Sequence, residues 1–171
     1  MKYLSLLVLL FSFTAFAADP APAPSASATA VNMVTQVPAF LTQLDKTRGK
    51  ALTVAEKASV TDLVKKGGDT VNGIQNQFLG TASKASGLDV ATMGVLFPSA
   101  TKPVDTKELT SKVEGKLGKK LGFVQKTALT SANTLRNNSL AGFKTTLSQN
   151  VGKQLGMDPV LVEGLLPLLG F

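Results

Sequence analysis

Two short turns constrain this chain more than any other feature. Ser86-Gly87-Leu88-Asp89-Val90 and Leu155-Gly156-Met157-Asp158-Pro159 lie 69 positions apart. In each, a glycine stands where a helix C-terminus takes up positive φ, and an aspartate two residues on is placed to cap the next helix. Each is followed by a short apolar segment ending at Pro98 or Pro167, a residue that does not continue a helix interior. At the same offset and without a gap, Gly49-Lys50, Leu52, Lys57, Thr61, Gly73, Lys84 and Leu96 also meet identical residues. Turn residues recur together with apolar ones, which favours repetition of one unit over chance likeness between amphipathic helices.

The apolar spacing around these turns is helical. Leu140, Phe143, Leu147, Val151 and Leu155 recur at steps of three and four, with Ser139 as the expected cap. Leu161, Val162, Leu165 and Leu166 form the face of the short helix that follows. In the earlier copy Thr70 or Asp69 caps, Val71, Ile74, Phe78 and Ala82 form the stripe, and Met93, Leu96 and Phe97 form the short face. Thr53-Val54-Ala55-Glu56 matches a capping box that opens a helix towards Lys66, ended by Gly67-Gly68. Asp105 with Glu108 opens another, in which Leu109, Val113, Leu117 and Leu121 repeat every fourth residue. Phe123–Asn137 reads as the next helix, ended by Asn137-Asn138. Val34, Val37, Phe40, Leu41 and Leu44 mark a first helix that starts or kinks at Pro38. No sustained alternation of apolar and polar residues signals a strand. The expectation is an all-α protein of roughly six to eight short amphipathic helices, two copies of one unit packed as a single domain, over residues 31–98 and 99–171.

Ahead of the repeats, Lys2, the apolar run Leu4–Phe13 and Ala15-Phe16-Ala17 make residues 1–17 a secretory signal peptide. The run is short of the roughly 20 apolar residues a transmembrane helix needs. No later stretch is long and apolar enough to span a membrane, and no cysteine follows to carry a lipid. Residues 18–30 are a Pro-, Ala- and Ser-rich linker. The mature chain is therefore expected to be exported, to a periplasmic or extracellular location.

The chain has no histidine, cysteine or tryptophan. Ser-His-Asp and Cys-His nucleophiles are thereby excluded, as are disulfides. A zinc site would rest on carboxylates alone, and no calcium-loop or phosphate-loop spacing is present. Asp45, Glu56, Asp69, Asp89, Glu108 and Asp158 all have helix-cap or surface readings. No catalytic, cofactor-binding or metal-ligating residue and no cofactor is expected, and the protein reads as no enzyme. Val151-Gly152…Gly156…Val162…Leu165 resembles the spacing of a DNA-binding helix-turn-helix. The second helix of that pair, however, carries Glu163 and no basic residue to meet phosphate, so nucleic acid is not an expected partner.

The formal charge is +7, unevenly spread: residues 31–98 hold seven basic and five acidic side chains, residues 99–167 ten and five. Lys112, Lys116, Lys119 and Lys120 lie beside an apolar stripe, the pattern of a helix that meets anionic lipid headgroups or an anionic envelope polymer. The stripe lacks Trp and Tyr, the usual interfacial anchors. The sequence thus points to an exported, non-enzymatic helical protein that binds an envelope partner, whether lipid surface, polymer or protein, through apolar and basic helical surfaces. Its alternatives are a membrane-active cationic protein and a carrier that holds a hydrophobic ligand between the two halves. Nothing in the sequence sets the oligomeric state.

Overall fold

The computed structural model describes residues 33–171. The expected signal peptide, the linker and the first two residues of the first copy lie outside the described residues. All regular structure among the described residues is helical, without a strand. Six α-helices follow one another there: α1 (Val37–Arg48), α2 (Val54–Ser86), α3 (Val90–Leu96), α4 (Thr106–Leu117), α5 (Phe123–Leu155) and α6 (Pro159–Glu163). Short 3-10 turns precede α1 at Met33–Gln36 and follow α6 at Leu166–Leu169. Both ends of α4 and α5 fall 69 residues after the ends of α1 and α2, and α6 starts 69 residues after α3.

Two of these helices are not short. α2 and α5 each run for 33 residues, and the breaks expected at Gly67-Gly68 and Asn137-Asn138 do not occur. Gly67 and Gly68 are buried inside α2, and a Cβ on Gly67 would stand 2.8 Å from Cζ of Phe143. The glycine admits a neighbouring ring, and burial of that helix face outweighs a propensity cost of about 1 kcal/mol per glycine. Asn137 is turned to the connection before α4: its Nδ2 donates to the Val104 carbonyl at 2.9 Å and its Oδ1 accepts from the Val104 N–H at 3.2 Å. Ser139, Thr70 and Asp69 accordingly lie inside helices and are not caps. The working caps stand further upstream. Thr53 Oγ1 accepts from the Glu56 N–H while Glu56 Oε2 accepts from the Thr53 N–H, closing the capping box. At the start of α5, Gln125 Oε1 accepts from the Gly122 N–H at 3.1 Å.

A third correction concerns α4, which stops at Leu117. Gly118 takes φ +65° and ends it, so Leu121 is buried from the turn and not from the helix stripe. Gly87 and Gly156 adopt positive φ, and Asp89 and Asp158 cap α3 and α6 as the turns require.

α2 and α5 run antiparallel: residues 63–70 face 143–150, and 74–81 face 132–139. Two apolar clusters sit on this pair. One joins Phe40 and Leu44 of α1 to Val60 and Val64 of α2, Leu147 and Val151 of α5, and Val162 of α6. The other joins Phe78 and Leu79 of α2 to Met93 of α3, Leu109 and Val113 of α4, and Leu129 of α5. Each cluster therefore draws on both halves of the sequence, and each fully buried Leu, Val or Phe contributes about 1.5–3 kcal/mol. The halves are interlocked through their long helices.

One polar device closes both helical corners. Asp45 Oδ1 accepts from the Leu52 N–H at 2.6 Å and its Oδ2 lies 3.6 Å from Lys57 Nζ. Sixty-nine positions on, Glu114 Oε1 accepts from the Leu121 N–H at 3.0 Å and lies 3.0 Å from Lys126 Nζ.

Candidate functional site

The four lysines singled out by the sequence do not act as one face. Lys112 is on α4, but its Nζ is engaged by Glu108 at 2.7 Å and lies 5.4 Å from the centre of the Phe97 ring. Lys116 ends α4. Lys119 and Lys120 lie beyond it, in the connection to α5. Lys120 Nζ reaches Glu114 Oε2 at 2.9 Å while staying largely in solvent. Hydrogen bonds from Lys120, from the Leu121 N–H and from Lys126 hold the Glu114 carboxyl down to about 2, so it is ionised at neutral pH. Among the described residues Lys116 and Lys119 form no ion pair with an acidic group.

Close in sequence to these lysines stand two apolar residues at the start of a helix that the spacing predicts. Phe123 and Val124 open α5 and are 85% and 78% exposed. The α4–α5 corner thus presents an apolar dipeptide next to a basic turn. A large exposed aromatic at a helix N-terminus has no packing role here. The first buried side chain of α5 is Leu129, six residues further on.

A second feature lies between α2 and α5. A groove of about 440 Å³ is lined by Leu63, Lys66, Gly67 and Thr70 from α2 and by Phe143, Thr146, Leu147 and Asn150 from α5. Shifting each residue by 69 positions towards the other half gives Ala132, Leu135, Arg136, Ser139, Ile74, Gln77, Phe78 and Thr81. These are the residues that line the matching groove at the other end of the helix pair, where only about 20 Å³ is left. That is room for roughly one water.

Arg136 is what fills the second groove, and no motif or spacing in the sequence marks it. Its side chain is almost fully buried and its guanidinium carbon lies 5.1 Å from the centre of the Phe78 ring. Nε donates to Gln75 Oε1 at 2.9 Å, Nη1 to Asn137 Oδ1 at 3.3 Å and Nη2 to the Ser99 carbonyl at 2.7 Å. Gln75 Nε2 in turn donates to the Phe97 carbonyl at 2.7 Å. Burial lowers the guanidinium to about 10, still cationic at neutral pH, with neutral acceptors as its hydrogen-bond partners. At the equivalent place in the first groove stands Gly67.

Among the described residues no helix is long and apolar enough to cross a membrane, and no three potential metal-ligating side chains gather. What the fold and these sites define is an all-α protein built on one antiparallel pair of long helices with a groove at each end of the pair. The chain matches no protein-family model, no curated protein and no solved structure.

Proposed function

We propose that this is an exported, non-enzymatic helical protein made of two copies of one unit, residues 31–98 and 99–171. It follows a signal peptide over residues 1–17 and a linker over 18–30, and attaches to an anionic lipid surface of the envelope through its α4–α5 corner. The duplication is supported by the common offset of helix ends, positive-φ glycines, carboxylate corners and groove linings. The observation that carries the attachment is the exposure of Phe123 and Val124 beside Lys116, Lys119 and Lys120. An apolar tip that follows a basic turn gains both from entering the headgroup–acyl boundary and from the negative surface potential. Lys112, held by Glu108 and Phe97, contributes less than its neighbours.

Co-sedimentation with liposomes tests this reading. The wild type should sediment with anionic vesicles and stay in solution with zwitterionic ones. Phe123→Ser with Val124→Ser should lose most of that binding, and both side chains are exposed enough for the fold to persist. Lys116→Gln with Lys119→Gln should weaken binding by about 1 kcal/mol per lysine. Salt should weaken it further, because the screening length falls from about 10 Å at 0.1 M to about 3 Å at 1 M. Binding that ignores salt and both double variants would reduce the corner to a solvated face.

A further inference from the structure

We propose that the open groove between α2 and α5 binds a free long-chain carboxylate, its acyl chain lying against Leu63, Phe143 and Leu147 and its carboxylate meeting Lys66 on the rim. This proposal stands independently of the α4–α5 corner. Its volume of about 440 Å³ lies within the roughly 300–1,000 Å³ usual for small-molecule sites.

The matching groove indicates what such a site accepts. There the chain itself supplies a linear aliphatic stem ending in a planar charged head, Arg136, laid along Ile74 and Phe78. Its surroundings are neutral, with Leu135 on the rim and Gln75 at the head. In the open groove each of these is exchanged. Gly67 replaces Arg136 and removes the internal stem, Lys66 replaces Leu135, and Lys144 replaces Gln75. A filled groove with an internal cation and a neutral rim is matched by an open one with a lysine on its rim. The complementary occupant is a linear apolar chain with an anionic head.

The local contacts agree with that choice. Lys66 forms no ion pair among the described residues. Lys144 Nζ rests 5.3 Å from the centre of the Phe171 ring, which itself lies 5.7 Å from the Phe143 ring. Lys144 is thus engaged by Phe171, outside the groove lining, and Lys66 is the cation the groove presents. Phe143 is only partly buried, so one side of its ring is available to an acyl chain.

Two experiments on the mature protein test the proposal. The first uses the absence of tryptophan from the chain. Phe143→Trp places a sole reporter in the open groove and Ile74→Trp places one in the filled groove. Bromine-labelled stearate should quench the first saturably and leave the second unchanged. The second experiment copies the filled groove into the open one. Gly67→Arg with Phe143→Ile gives the groove its own stem and the smaller residue that stands opposite Arg136. It should lower the affinity for oleate at least about tenfold. Lys66→Leu should erase the preference for oleate over oleyl alcohol while both still bind. Absence of saturable quenching at position 143, equal quenching at both positions, or oleate binding unaffected by the double substitution would overturn the proposal. If the double variant does not fold, the tryptophan reporters decide by themselves.

Discussion

The two grooves of the α2–α5 pair share a backbone frame and differ in what fills them. Every lining residue of one has its counterpart 69 positions away in the other, yet one encloses about 20 Å³ and the other about 440 Å³. The exchange is a paired one. Arg136 stands opposite Ile74 where Gly67 stands opposite Phe143, so the large partner has moved from α5's first half to its second. Phe143 recovers part of the space that Gly67 leaves open, as the 2.8 Å approach to a Gly67 Cβ shows. It does not recover all of it. The comparison teaches that helix ends and the apolar frame coincide at the offset of 69, and that the groove interiors differ.

The sharpest way to break this comparison is to empty the filled groove. Arg136→Ala should cost about 3–5 kcal/mol, because Gln75 and Ser99 lose their buried donor and a cavity opens over Phe78. Urea midpoints measure it, and a loss under about 1 kcal/mol would show that Arg136 does not hold the groove. Equivalent apolar positions should then behave alike. Phe78→Ala and Leu147→Ala, both in buried positions 69 residues apart, should each cost about 2–5 kcal/mol, and Phe143→Ala should cost less because its ring is only partly buried. Similar losses for Phe143 and Leu147 would mean that the open groove is closed in solution.

The corner carboxylates give a smaller, pH-dependent contrast. Glu114 has a folded-state value of about 2 against 4.5 when free, so its stabilising contribution is complete above pH 4.5 and is lost as pH falls through about 2. Glu56 behaves in the same way, held to about 2 by the Thr53 N–H, by Arg48 and by the Thr53 hydroxyl. Thermal midpoints of the wild type should fall between pH 4.5 and 2. Glu114→Gln should flatten part of that fall and leave the Glu56 share. An unchanged acid slope in this variant would remove Glu114 from the account. The smallest effect is expected at Gly73 and Gly142, interior helix glycines at the common offset with open space around a Cβ. Alanine at each should add about 0.5–1 kcal/mol, and a loss at either would reveal a contact on the exposed face.

What the sequence determined by itself was local. Gly87, Gly156, Asp89, Asp158 and the Thr53–Glu56 box could be read because capping and positive φ depend on neighbours within one turn. The stripes Val71–Ala82 and Leu140–Leu155 were readable for the same reason, as was the offset of 69. Four matters rested on tertiary structure. Gly67-Gly68 and Asn137-Asn138 looked like helix ends because their reasons, Phe143 on one side and Val104 on the other, lie on other elements. The lysine group was divided by Gly118 and by carboxylates at Glu108 and Glu114 that take Lys112 and Lys120. Phe123 and Val124 became an exposed tip only when the α4–α5 corner turned them away from the core. Arg136 resembled any solvated basic residue until α2 and α5 ran antiparallel and brought Gln75, Phe78 and Ser99 around it. Periodicity along one helix says which face is apolar; which groove is filled and which is open depends on the helix packed opposite.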